Sequence, residues 1–247
     1  GFTGINEATG TTIQDGKELT LIGGKSDGTG TRFTLADKII SVAGKGAKLI
    51  LGSLGVKDSS VYQGQAEEVQ LSNGGELRIA AGDYLVKNHT SSGGITTVNS
   101  NSTFRSDKAT LTGATFENNG TTELGSLEGW NGARLTNNKK LTVTGETQFG
   151  GILTNNKDAT LKGTAHFDGT LVNTQGANLI ANTVNVIGTL ENLGYMEALD
   201  DSTVYGTLYN PGEIHLFNTA IGARVDEKGG HIGNTFTLIA TGKTQPA

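Results

Sequence analysis

Four carboxylates, Asp168, Asp200, Asp201 and Glu213, are the first residues with types suited to catalysis. A protonated and an ionised carboxyl on opposite sides of a sugar can cleave a glycosidic bond, so convergence is what matters. In the repeat frame set out below the four occupy different columns. They read as solvated turn residues, and no catalytic residue is assigned. His89, His166, His215 and His231 show neither a helical HExxH spacing nor a tight pairing, so no metal site is assigned. His166 precedes an apolar position and is expected to point outward. GGKSDG (23–28) matches part of a calcium-binding GGxGxD repeat, but it occurs once and lacks the third Gly, as an ordinary turn would. No cofactor is implied.

Aromatic and aliphatic side chains offer binding chemistry instead. If Val204 and Leu208 point inward, alternation turns Tyr205 and Tyr209 outward. Ile187 lies one repeat before Tyr205, and Val172 shares the column of Tyr209. Ile187, Tyr205 and Tyr209 are therefore the candidate surface for a ligand or for self-association. A loop or further coils of the native protein covering the patch would explain it equally well. Trp130, the only Trp, falls in a column with Phe149 and Phe167 and is assigned to the core. Thr170, Thr189 and Thr207 align in a short ladder that stops at Ile152 and Ala223, too short for a regular ice-binding array.

The elements that position these residues follow from internal repetition. One column is Leu135, Leu153, Leu171, Leu190, Leu208 and Val225, with steps of 18, 18, 19, 18 and 17 residues. A second is Trp130, Phe149, Phe167, Val186, Val204 and Ile221. A third is Asn118, Asn137, Asn155, Asn173, Asn192 and Asn210, and a looser fourth contains Val143, Leu161 and Leu179. Short alternating segments separated by Gly, Asn and Asp read as strands joined by turns. A unit of about 18 residues cannot bury its own apolar face, so successive copies must stack. The expected fold is all-β, a right-handed parallel β-helix (β-solenoid), because the unequal column spacing implies three unequal sides. The Asn column is expected at tight left-handed corners, with its amides bonded from coil to coil.

Composition agrees. The chain has 247 residues, with 38 Gly, 2 Pro and 17% charged residues, a poor recipe for helices and too apolar for disorder. The absence of Cys excludes disulfides and thiolate metal sites. A net charge of −5 argues against a nucleic-acid partner, and no apolar run suits membrane insertion by this segment. The expected organisation is a single β-helix domain over 1–247. Residues 1–117 form less regular coils with projecting loops, 118–225 regular coils, and 226–247 a C-terminal capping coil. Leu77 to Ile95 is read as one coil step, and the stretch 52–68 as the best projecting loop.

GTLVNTQGANL, GTLENLGYM and GTLYNPGEI resemble the coils of autotransporter passenger domains and filamentous-haemagglutinin-like exoproteins of Gram-negative bacteria. The resemblance covers roughly residues 67–225. It implies a secreted or cell-surface protein, exported across the outer membrane, in families that include adhesins, self-associating proteins, proteases and toxins. The expectation for this chain is an adhesin rather than an enzyme. Its expected role is cell–cell aggregation, as in biofilm, or attachment to host matrix, with partners that are host surface proteins, glycans or identical molecules. Protease members of these families carry a GDSG-type motif, which this sequence lacks. Two alternatives stay open: a glycan-cleaving enzyme of the lyase or tailspike type, which shares the fold, and a passive stalk for a separate effector domain.

Overall fold

A computed structural model describes residues 10–25, 33–53, 62–222, 224–226, 228–234 and 239–240. The chain is all-β, a parallel β-solenoid with coils of about 19 residues. It comprises two compact units, Gly1–Gly125 and Ser126–Ala247.

In the second unit the apolar columns become literal stacks. Leu135, Leu153, Leu171, Leu190, Leu208 and Val225 are in-register partners on successive parallel strands, from Arg134–Asn137 to Arg224–Asp226. All six are buried, each Leu completely. Burying one Leu side chain is worth about 2 kcal/mol, so the column is a continuous source of cohesion. Phe149, Phe167, Val186, Val204 and Ile221 form a second buried stack on the other face of the coil. On that face a coil contributes either one bent strand, as in Asp158–Phe167, or two short ones, as in Tyr195–Ala198 and Thr203–Val204.

Asn137, Asn155, Asn173, Asn192 and Asn210 stack at the end of the Leu face and are fully buried. Each Nδ2 donates to the Oδ1 of the next, at 2.8, 2.9, 2.9 and 2.7 Å. The second proton of each amide goes to a main-chain carbonyl one coil on: Asp158, Asn178, Tyr195, Glu213 and His231. The expected ladder is present, but not the left-handed corners. Among the described residues, the non-Gly residues with positive φ are Asn73, Asn101, Asn131, Asn218 and Lys228. The ladder Asn is thus selected for its amide, not for its backbone. The Gly of each GTL segment is also a matter of space. A Cβ on Gly169, Gly188 or Gly206 would overlap the carbonyl oxygen of the corresponding Gly one coil earlier.

Two column assignments need correction. The fourth column slips, because Leu161 pairs with Ala181 and Leu179 with Ala159, a 20-residue step that a bulge between Leu161 and Thr164 then shortens to 19. In the second column it is Gly129, not Trp130, that pairs with Phe149. A side chain on Gly129 would collide with the Phe149 ring. The strand Thr121–Trp130 therefore sets Trp130 one residue out of phase and turns it outward, with 39% of its surface exposed.

The first unit is stacked in the same way with longer coils. Glu18 pairs with Lys48 and Lys48 with Glu76, steps of 30 and 28 residues, before the repeat settles to 19 at Ile95 and 20 at Thr115. Leu77 pairs with Thr96 rather than with Ile95, so Ile95 faces solvent and Thr96 is buried. Of the proposed projecting loop, residues 62–68 belong to the strand Tyr62–Ser72, which pairs in parallel with Phe33–Ala43 and Asp83–Ser92. Residues 54–61 lie outside the described residues, as do the remainder of GGKSDG after Lys25 and most of the capping coil.

Candidate functional site

The corner that joins the Phe face to the Leu face in the second unit carries the exposed pair named from sequence. Phe167, Val186 and Val204 are register partners, so the residues that follow them, Asp168, Ile187 and Tyr205, occupy one position on three successive coils. Their main-chain N–H groups donate to the preceding coil: Asp168 to Phe149, Ile187 to Phe167 and Tyr205 to Val186. The backbone is thereby satisfied and the side chains are left to solvent. Ile187 is 62% and Tyr205 57% exposed. Tyr209 lies four residues beyond Tyr205, half-buried on the outer side of the Leu face, between Glu191 and Asp226. The structure sets Ile187 and Tyr205 side by side and places Tyr209 in a separate column.

The catalytic candidates do not share a position. Asp168 is on the exposed corner, where Gln148 Nε2 donates to its Oδ2 at 2.9 Å. Asp200 and Asp201 lie in the turn after Tyr195–Ala198, and Asp201 Oδ1 accepts from Asn218. Glu213 begins the strand Glu213–Leu216 and meets His215 Nε2 at 2.6 Å. His166 is exposed, as its phase requires. Among the described residues no group of three or more His, Asp or Glu is arranged to hold a metal ion.

Three groupings were not legible from the sequence. The first is an ion cluster in the first unit. Arg105 Nε and Nη2 engage Asp83 at 2.9 and 3.0 Å, and Nη1 engages Glu123. The Asp83 hydrogen bond, more than any other influence, raises the guanidinium above its ordinary pKa. The cluster borders a shallow groove of about 280 Å³ with Thr34, Gln63, Gln65 and Leu85. Its residues recur at coil spacing, but the spacing shows only after the longer coils of this unit are known.

The second grouping is outward-facing, in the last coils of the second unit. Tyr195 donates to Glu197, a bond that pushes the phenol pKa up to about 12. The Tyr195 ring lies 5.5 Å from that of His215, which lies 5.8 Å from that of His231.

The third is internal. His89 is fully buried, its Nε2 2.8 Å from Thr96 Oγ1, with the edges of Phe104 and Phe116 packed against its ring. Burial lowers its pKa to about 4, so the ring is neutral at pH 7. A bend makes Lys87 and Asn88 both point outward between buried Val86 and buried His89, and this phase change concealed His89 from an alternation argument.

No family model, curated protein or solved structure matches this chain. The functional reading therefore rests on the surface chemistry of the coils.

Proposed function

We propose that this chain is an adhesive or scaffolding segment displayed on, or secreted from, a Gram-negative cell, of the autotransporter-passenger or filamentous-haemagglutinin type. The observation that carries the reading is the Ile187–Tyr205 pair. Two large side chains sit on adjacent coils at one corner, each more than half exposed, in a unit where most large apolar side chains fill stacked interior columns. Trp130, Leu193 and Leu199 are the other exposed ones in that unit among the described residues. Such a pair costs solubility and offers contact area, which suits docking against a glycan, a host surface protein or a second copy. Weak contacts of this kind gain strength when many molecules are displayed together. The four carboxylates, separated on the coils, favour this role over glycan cleavage.

The test compares cells displaying the chain with cells displaying none, by sedimentation and by retention on matrix and glycan surfaces. The parent is expected to clump or adhere. Tyr205→Ser/Tyr209→Ser should keep an unchanged circular-dichroism melt, because neither residue belongs to an interior column, and adhesion should fall by about five-fold or more. Parent cells indistinguishable from undecorated cells would refute the proposal. Full adhesion by a folded double variant would remove the tyrosines from it.

A further inference from the structure

We infer that the exposed corner of the second unit is a binding line for an extended, uncharged polysaccharide chain. The inference rests on the adhesive reading above and names its ligand class. Register carries it. Gly129, Phe149, Phe167, Val186 and Val204 are successive partners, so the residues after them, Trp130, Gly150, Asp168, Ile187 and Tyr205, follow one another along the corner. Four coil steps at ~4.8 Å separate Trp130 from Tyr205, roughly 19 Å in all.

The chemistry along this line is that of sugar recognition. Trp130 and Tyr205 supply aromatic platforms at its two ends, 39% and 57% exposed. A Cβ on Gly150 would stand 4.0 Å from the indole, an ordinary contact distance, which places the ring beside the next position of the corner. Between the platforms, Asp168 receives Gln148 Nε2 on Oδ2, which fixes the carboxylate and leaves Oδ1 for a sugar hydroxyl. Ile187 adds an apolar contact beside Tyr205. The apolar C–H faces of pyranose rings stack on aromatic side chains, and their hydroxyls bond to carboxylate and amide groups. An extended pyranose chain advances one ring in nearly the distance of one coil, so each corner residue faces about one sugar. Asp168 at the centre of the line and a net charge of −5 disfavour uronate or sulfated polymers, which makes the ligand uncharged. Tyr209, in its own column between Glu191 and Asp226, is not part of the line.

Trp130 is the only Trp in the chain, so its emission reports on this corner alone. The purified full chain is titrated with cellotetraose and chitotetraose, and with tetragalacturonate as the charged counterpart. At least one uncharged tetrasaccharide should change the emission saturably. The matching disaccharide should bind about ten-fold more weakly, and tetragalacturonate should not bind. Asp168→Asn and Tyr205→Ser, with unchanged melts, should each weaken binding about five-fold. Trp130→Phe is followed by calorimetry. A flat response to both uncharged probes, tetragalacturonate binding as tightly as they do, or parent-like affinity in both corner variants would each overturn the inference. Flat titrations together with cell clumping that depends on Tyr205 would remove the polysaccharide and leave the adhesive reading as contact between protein chains.

Discussion

Both units bury polar side chains, and the second repeats one of them from coil to coil while the first does not. The second unit places Asn137, Asn155, Asn173, Asn192 and Asn210 at one position on successive coils, and each amide is satisfied by a main-chain carbonyl and, in the first four, by the next amide. The first unit buries His89, Ser91, Thr96, Ser102, Ser106, Asn118 and Thr122, residues of different types at different positions. His89 Nε2 and Thr96 Oγ1 pair, but His89 Nδ1 and the hydroxyls of Ser91, Ser102 and Thr122 find no partner among the described residues, and neither does the buried Thr147 hydroxyl, a singular group of the second unit. Repetition is the difference. A polar side chain that recurs every coil has its own copy, one strand spacing away, as a partner. One that occurs once depends on whatever its neighbours offer, and the cost of an unsatisfied buried group falls on that coil alone.

The sharpest way to break this comparison is at the middle of the ladder. Asn173→Ala removes the donor to Asn192 Oδ1 and to the Tyr195 carbonyl, and the acceptor for Asn155 Nδ2. At about 1–3 kcal/mol for each buried group left unpaired, plus a small cavity, the expected loss is about 4 kcal/mol. Urea denaturation reads it directly. A loss below about 1 kcal/mol would mean that the ladder is a consequence of stacking and not a source of stability.

How much of this was readable beforehand follows the same division. The Leu and Asn columns were legible to the residue because each recurs with little drift, so one register error would have spoiled the whole alignment. The Trp130 position is not legible from spacing, because Gly129 holds the interior position without a side chain and the nearest large residue is one place out of phase. Ile95 was misplaced because the apolar residue and the buried one are not the same there: Thr96 faces inward to meet His89. The corner pair Ile187 and Tyr205 was found because it borders regular columns, whereas the Arg105 cluster lies where coil length changes and no frame could be drawn.

A somewhat smaller effect separates the units by pH. The folded first unit holds His89 neutral down to about pH 4 because burial disfavours the charged ring, while the unfolded chain takes up its proton near pH 6.5. Between these values the unfolded state binds more protons, so stability falls as the pH falls, by about 1.4 kcal/mol per pH unit and roughly 3 kcal/mol in all. The ring's neighbours are Thr96, Phe104 and Phe116, with Val69 and Ala109 beside it in register. None of them carries a charge to offset the proton. Hydrogen exchange should show amides of the strand Asp83–Ser92 losing protection from pH 6.5 to 4.5 ahead of those in the Leu column of the second unit. His89→Leu should abolish that difference. Equal acid sensitivity of the two units in the parent would place the controlling groups elsewhere.

The smallest expected change has the opposite sign. Ser91 pairs in register with Leu71 and Leu111, and its buried hydroxyl has no partner among the described residues. Ser91→Ala removes an unsatisfied polar atom and almost no volume, so it should stabilise the first unit by about 1 kcal/mol. The equivalent loss of one polar atom from the ladder destabilises, because there the atom is shared with a copy. Ser91 and His89 are two residues apart on the same face of one strand, so their effects on stability need not add. In the cycle of Ser91→Ala, His89→Leu and the double variant, additive changes within about 0.5 kcal/mol are expected if the hydroxyl and Nδ1 are independent. If Ser91→Ala instead destabilises, and does so only while His89 is present, the two groups share a bridging water. The first unit would then satisfy its singular polar groups by recruiting solvent, as the second satisfies its repeated ones by recruiting copies.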